Sequence, residues 1–216
     1  MTKAKPIKIL FTIPNFNTAG SGKVVYDLIN GLDRTIFEPE VCCNHAKGEF
    51  FKKVEALNVK IHIFPITTNY RPWITFIFRV FKIAKFLKRN KFDLIHSWHW
   101  SSDFSEPLAA KLAGIPFIYT KKAMGWESKF WKWRSRLSSK IIAINDDMLQ
   151  LYFSDCLKKV VKLPLGVDTD VYKPMEDMIG LKKQLGILPE DFVVVSIANL
   201  VEVKGVEILI EAVLKL

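Results

Sequence analysis

The chain of 216 residues has only three cysteines. Cys42 and Cys43 are neighbours and Cys156 stands apart. Neighbouring residues of a strand point to opposite faces, so the pair is poorly placed to bridge. The odd count and the lack of metal-ligand spacing imply reduced thiols and a cytosolic protein. No stretch approaches the ~20 apolar residues that a membrane-spanning helix needs. The N-terminus, MTKAKPIKILFTIP, lacks the longer apolar region and small-residue cleavage site of a signal peptide. Residues 7–14 therefore read as a first buried strand. Internal repeats and low-complexity segments are missing as well.

Two stretches are almost without acid. Residues 71–91, RPWITFIFRVFKIAKFLKRNK, carry seven basic residues and no acid; residues 121–140, KKAMGWESKFWKWRSRLSSK, carry seven and one. The net charge is +10, so the excess sits in these two stretches and the remainder is slightly acidic. A local basic surface implies an anionic partner.

What is present is an alternation of β-rich runs and helical patterns. Strands are predicted near 7–13, 39–44, 59–66, 92–98, 115–120, 140–145 and 159–164. Helices are predicted near 22–33, 48–57, 73–90, 104–114, 128–138 and 146–154. Several strand runs are continuously apolar, as in parallel strands buried on both faces. The expected fold class is α/β, a doubly wound, Rossmann-like parallel sheet. After Gly166 the composition turns polar. A short helix (177–185), a strand (192–198, FVVVSIA) and the opening of a helix (204–216) follow. One strand and one helix cannot bury their own apolar faces. The chain thus reads as a fragment or a truncated product that begins a second α/β unit.

The segment NTAGSGKVVYDL (17–28) has the place of a phosphate loop, between the first strand and a helix. It is not a Walker loop, because Asn17 stands where the first glycine belongs and Val24 follows Lys23. It is not the G-x-G-x-x-G fingerprint either, because Val25 replaces the third glycine. Gly20 and Gly22, flanking Ser21, would let the backbone approach an anion; a plain β–α turn is the alternative.

In an open parallel sheet, ligands bind beyond the carboxyl ends of strands. His99 and Trp100 in DLIHSWHWSSD, and Lys121 and Lys122 in YTKKAMGWESKFW, fall there. His96 reads as a core histidine. His96 and His99 lack a third ligand, so no metal site is expected. In helix 73–90 the residues Trp73, Phe76, Ile77, Val80, Ile83, Ala84 and Leu87 share the face expected to meet the sheet. The opposite face mixes Lys82, Lys85 and Arg89 with Phe78 and Phe81, which suits an anionic membrane surface. Single-stranded nucleic acid would suit the same chemistry, but no nucleic-acid motif accompanies it. A second loop before a helix, SIANLVEVKG, carries Asn199 and Lys204.

Taken in order, these segments resemble the family-4 retaining glycosyltransferases of the GT-B fold. The resemblance rests on the glycine loop with its KVVYDLINGLDR helix, on FDLIHSWHW and on AAKLAGIPFIYT. It continues through KIIAINDDMLQLY, VKLPLGVDTDVYKP and IANLVEVKGVEILIEAVLKL. It implies an acceptor-side Rossmann-like domain (1–168), an interdomain linker with a short helix (169–190) and the start of a nucleotide-sugar donor domain (191–216). It implies transfer of a sugar, with retention, from a nucleotide-sugar donor to a glycan or lipid-linked acceptor, without a metal or other cofactor, and the basic-aromatic stretches 71–91 and 121–140 would hold the protein at the inner membrane face. Gly20, Ser21, Gly22, Asn199 and Lys204 would meet the donor diphosphate, and Lys122 and His99 would line the reacting cleft. Three departures stand out. Asn199 replaces a common arginine, Lys122 a common histidine, and the Glu-x7-Glu motif would lie beyond Leu216. A binding or scaffold domain and a GT-B nucleotide-sugar epimerase are the alternative functions.

Overall fold

The N-terminal apolar run forms β1 (Ile7–Thr12), and its last four residues are buried. In the computed structural model, which describes residues 5–17, 19–174, 178–198 and 200–215, the chain forms two units, Met1–Gly166 and Val167–Leu216.

In the first unit β1 is followed by α1 (Ala19–Gly31), β2 (Phe37–Cys43), α2 (Glu49–Glu55), β3 (Lys60–Ile63) and α3 (Trp73–Asn90). Then come β4 (Leu94–Ser97), α4 (Ser105–Ala113), β5 (Phe117–Lys121), α5 (Phe130–Leu137), β6 (Lys140–Ala143), α6 (Asp146–Tyr152) and β7 (Val160–Lys162). All seven strands are parallel in the order β3-β2-β1-β4-β5-β6-β7. The predicted doubly wound sheet is therefore present. Helix α1 starts at Ala19, three residues earlier than expected, so Gly20, Ser21 and Gly22 lie within its first turn.

The strand period of two divides the core into two layers. Leu10, Cys42 and Ile95 join one cluster with Phe76, Val80 and Leu87 of α3. Ile9, Phe11, Val41 and Cys43 join the other with Val25 and Ile29 of α1 and Val54 of α2. Cys42 and Cys43 thus face opposite layers, and all three thiols are free.

Turn chemistry sets the element ends. Gly114 adopts φ +73 as the C-cap of α4, and Pro116 then leads into β5. Asn145 caps α6, its side-chain oxygen accepting from Met148 N–H at 3.0 Å. Helix α3 buries Phe76, Val80, Ile83, Ala84 and Leu87, spaced one helical turn or two apart. Trp73 and Ile77 depart from the expectation: they are 57% and 40% exposed. Trp73 is the first residue of α3, and Ile77, one residue past Phe76, lies at the margin of the buried stripe.

The second unit contains α7 (Met178–Gln184), a 3-10 turn (Glu202–Lys204) and α8 (Val206–Val213). The expected strand at 192–198 does not form; these residues join no ladder among the described residues. A strand exists through its ladder, and no partner strand is present among the described residues of this unit. Phe192, Val195 and Ile197 are consequently exposed.

Candidate functional site

The strand order reverses between β1 and β4, which opens a crevice at their carboxyl ends. The segment after β1, the loop 98–104 after β4 and the loop 122–129 after β5 all lie at that end of the sheet. Lys122 ties the three together. Its Nζ donates to Ser21 Oγ at 2.9 Å and to the Trp98 carbonyl at 2.5 Å. It also lies 5.3 Å from the Trp98 ring centroid and 5.8 Å from that of Trp100. Burial, helped by the charge of Arg134, lowers its pKa to about 8. The ammonium is therefore charged at neutral pH and readily neutralised above it.

Ser21 and Lys122, singled out separately in the sequence, thus touch. The two glycines differ in role. Gly22 is buried, and a Cβ there would lie 3.3 Å from both Phe16 Cδ1 and Phe50 Cβ. Its smallness lets α1 approach these rings. A Cβ on Gly20 would meet nothing. The sequence reading overlooked Gly48. It holds φ +111, and a Cβ there would overlap the Phe16 carbonyl and the Asn17 nitrogen. Gly48 therefore lets the chain before α2 press on the backbone that enters α1. The signal was one glycine directly before a helical run.

His99 is half-buried. Its Nδ1 accepts from Ser101 N–H at 3.3 Å and lies 2.9 Å from Ser101 Oγ. An accepting Nδ1 puts the proton of the neutral ring on Nε2. Burial lowers the pKa to about 4, so the ring is neutral at pH 7. His96 is a core histidine, as expected. Its Nε2 lies 2.9 Å from Thr120 Oγ1, and burial lowers its pKa to about 4.

Beneath the crevice lies a polar network that the sequence did not disclose. Glu106 and Arg134 are fully buried and paired at 3.0 Å. The Glu106 carboxylate also accepts from Thr12 Oγ1 and, at 2.7 Å, from Ser97 Oγ. Arg134 donates to Ser97 Oγ at 2.7 Å and to the Asp103 carbonyl at 2.6 Å. Its guanidinium lies over Tyr119 at 5.0 Å. One ion pair thus fixes the ends of β1 and β4, the start of α4 and the loop 98–104.

The basic stretch 121–140 is accordingly less solvated than its composition implies. Arg134 is buried, and so is Lys121. Lys121 lies 4.1 Å from the Trp131 ring centroid and 5.5 Å from that of Tyr152, and donates to the carbonyls of Ala123 and, at 2.7 Å, Gly125. Its pKa falls to about 8 through burial. Lys121, expected at the ligand end of the sheet, instead turns inward and ties the loop that follows Lys122 to an aromatic cage. Lys129, Lys132, Arg136 and Lys140 remain exposed.

Lys204 ends the 3-10 turn of the second unit and is exposed, followed by Gly205 at φ +59. Asn199 lies outside the described residues. Among the described residues, no three His, Cys, Asp or Glu side chains are grouped to hold a metal ion, and no helix is long and apolar enough to cross a membrane.

Comparison with known proteins follows the same geometry. The chain is 24% identical over 138 residues to the Escherichia coli UDP-Gal:alpha-D-GlcNAc-diphosphoundecaprenol alpha-1,3-galactosyltransferase, an alignment covering 55% of this chain and 35% of that one. The solved structure of Anabaena Alr3699/HepE in complex with UDP and glucose superposes with a TM-score of 0.72 at 20% identity, over 96% of this chain and 57% of that one. A glycosyltransferase from Rickettsia africae gives a TM-score of 0.74 at 17% identity, over 98% and 57%. The chain spans little more than half the length of these structures and about a third of the curated relative. Their likeness establishes the Rossmann-like α/β fold of GT-B glycosyltransferases. The profile of glycosyltransferase family 4 matches residues 18–171, well over half the chain, and the protein belongs to that family.

Proposed function

We propose that the first unit is the acceptor side of a transferase that moves a sugar, with retention, from a nucleotide-sugar donor to a lipid-linked glycan. The observation that carries this reading is the Lys122 ammonium held against Ser21 in the first turn of α1. The amides of a helix's first turn lack intrahelical partners and carry partial positive charge. An ammonium beside them makes a field suited to a diphosphate leaving group, with no cation required. Gly20 leaves the approach open, and Ser21 and Lys122 would donate to phosphate oxygens. Lys204 is a proposed phosphate ligand on the second unit. His99, neutral with its proton on Nε2, would donate to a sugar hydroxyl at the cleft wall.

The family supports the reaction class, and the galactosyltransferase relative, by its name, acts on a diphosphoundecaprenol-linked acceptor. The surface supports the same acceptor class. Helix α3 exposes Ile74, Phe78 and Phe81 beside Lys82, Lys85 and Arg89. Such a face would hold the protein on the cytoplasmic, anionic leaflet. The test is incubation with labelled nucleotide sugars and membranes that carry polyprenyl-linked glycans. Label should pass into the lipid fraction and depend on those membranes. Acceptor-independent release of a free sugar or its epimer would overturn the reading.

A further inference from the structure

The two basic stretches, 71–91 and 121–140, meet in space. Where the start of α3 approaches α5 there is a groove of about 390 Å³. Its walls are aromatic. Tyr70 and Phe130 are 4.9 Å apart between ring centroids, Phe104 and Phe130 5.1 Å, and Phe104 and Trp133 5.5 Å. Trp73, 5.2 Å from Tyr70, extends the wall toward the exposed face of α3. The wall is braced from behind. Arg79 reaches back from α3 and donates to the carbonyls of Asn69, Arg71 and Pro72 at 2.8, 3.1 and 3.2 Å.

The rim carries Arg71 and Lys129, both exposed, and no acid lines the groove. Neither cation has an ion pair among the described residues. A packed core would not leave Trp73 and Trp133 more than half exposed beside two cations whose nearby partners are the rings of Tyr70, at 5.5 Å from Arg71, and Phe130, at 6.0 Å from Lys129. The combination calls for a ligand that is apolar along its length and anionic at one end.

The groove also leads to the crevice. Phe104 in its wall and Trp98 beside Lys122 are the two ends of one loop. Six residues of extended chain reach at most about 21 Å. The loop is held by Ser101, Asp103 and Arg134, so this spacing is fixed.

We propose that this groove seats the lipid of the acceptor: one isoprenoid chain laid across the packed rings of Tyr70, Phe130 and Trp133, with its phosphate against Arg71 and Lys129. Ring faces suit a methyl-branched, unsaturated chain. The loop then directs the attached sugar toward His99 and Lys122. This inference rests on the lipid-linked acceptor proposed above and adds where its lipid lies.

The test uses farnesyl phosphate as a soluble probe, followed by tryptophan fluorescence and calorimetry, with farnesol and inorganic phosphate as its two halves. Farnesyl phosphate should bind saturably, and each half at least ten-fold more weakly. Trp133→Ser and the pair Arg71→Glu/Lys129→Glu, all at exposed positions, should each weaken it at least ten-fold. Lys82→Glu/Lys85→Glu/Arg89→Glu should leave it unchanged while abolishing binding to anionic phosphatidylglycerol vesicles. Farnesyl phosphate binding that ignores the groove variants, or that phosphatidylglycerol nanodiscs displace at equal concentration, overturns the groove. Vesicle binding without farnesyl phosphate binding also overturns the groove and leaves the membrane reading standing. Farnesyl phosphate binding without vesicle binding supports the groove and defeats the membrane contact of α3.

Discussion

Replacing Arg134 with Met tests whether the buried ion pair organises the crevice. The substitution keeps an unbranched stem, shorter than arginine by the end of the guanidinium, and removes the charge and donors that meet Glu106, Ser97 and Asp103. Glu106 is then a carboxylate with no accessible surface, supported only by the hydroxyls of Thr12 and Ser97. Breaking a buried pair from one side costs about 3–5 kcal/mol. Whole-domain stabilities are about 5–15 kcal/mol, so this is a large share. For a unit of this size it corresponds to a Tm lower by about 6–20 °C. Removing the stranded charge as well, in Arg134→Met/Glu106→Leu, should recover part of the loss. Recovery stays incomplete because Thr12 and Ser97 lose acceptors, at about 1–3 kcal/mol for each buried group left unsatisfied. The expected coupling is about 2 kcal/mol or more. All six tryptophans lie in the first unit, so urea unfolding followed by their fluorescence reports on that unit alone. Additivity of the two substitutions within about 0.5 kcal/mol would refute the reasoning.

Other outcomes follow from the same geometry. Lys122→Met should weaken binding of the proposed donor diphosphate at least ten-fold, read across a panel of nucleoside diphosphates. In the wild type, affinity should fall as pH rises through about 8, where the ammonium is lost, whereas Lys122→Arg should show no such fall; a flat wild-type profile from pH 7 to 9 would count against a charged role. His96 and His99 are held neutral down to about pH 4, below the ordinary histidine value of 6.5. The unfolded chain binds their protons first, so stability should fall as pH drops from 6.5 to 4; urea midpoints across that window measure it, and His96→Gln/His99→Gln should flatten the slope. Gly48→Ala forces a Cβ into the Phe16 carbonyl at a positive φ. It should cost about 1–3 kcal/mol and displace the start of α1, read as lower thermal stability and weaker diphosphate binding, whereas Gly20→Ala should leave stability within about 0.5 kcal/mol.

The sequence disclosed what depends on pattern and concealed what depends on partners. Continuous apolar runs revealed a buried parallel sheet because each such strand must be covered on both faces, and β1 and β2 are. The expected helices 104–114 and 146–154 end and begin within a residue of their place, because the conformations of Gly114 and Asn145 are local. The face of α3 followed its phase from Phe76 to Leu87 and failed at Trp73, the first residue of the helix, and at Ile77, on the margin of the stripe, since periodicity does not give the width of the covered face. Residues 192–198 have the composition of a strand, but composition supplies no neighbour. Charge misled most. Lys121 and Arg134 counted as two more cations in a basic stretch, yet both are buried, and only Arg134 has a carboxylate opposite. A weak trace of this existed: Trp131, Arg134, Ser135 and Ser138 share one helical side, and that side is the buried one. A charged residue in phase with a buried tryptophan must either find a partner or stay out of the core. Glu106, on the next helix in space, is that partner. The pair could be named only once the strand order had brought α4 and α5 together. The contact between Lys122 and Ser21, 101 residues apart, was hidden for the same reason. Each residue was visible in the sequence, and the crevice they close is a property of the order 3-2-1-4-5 in which the strands lie.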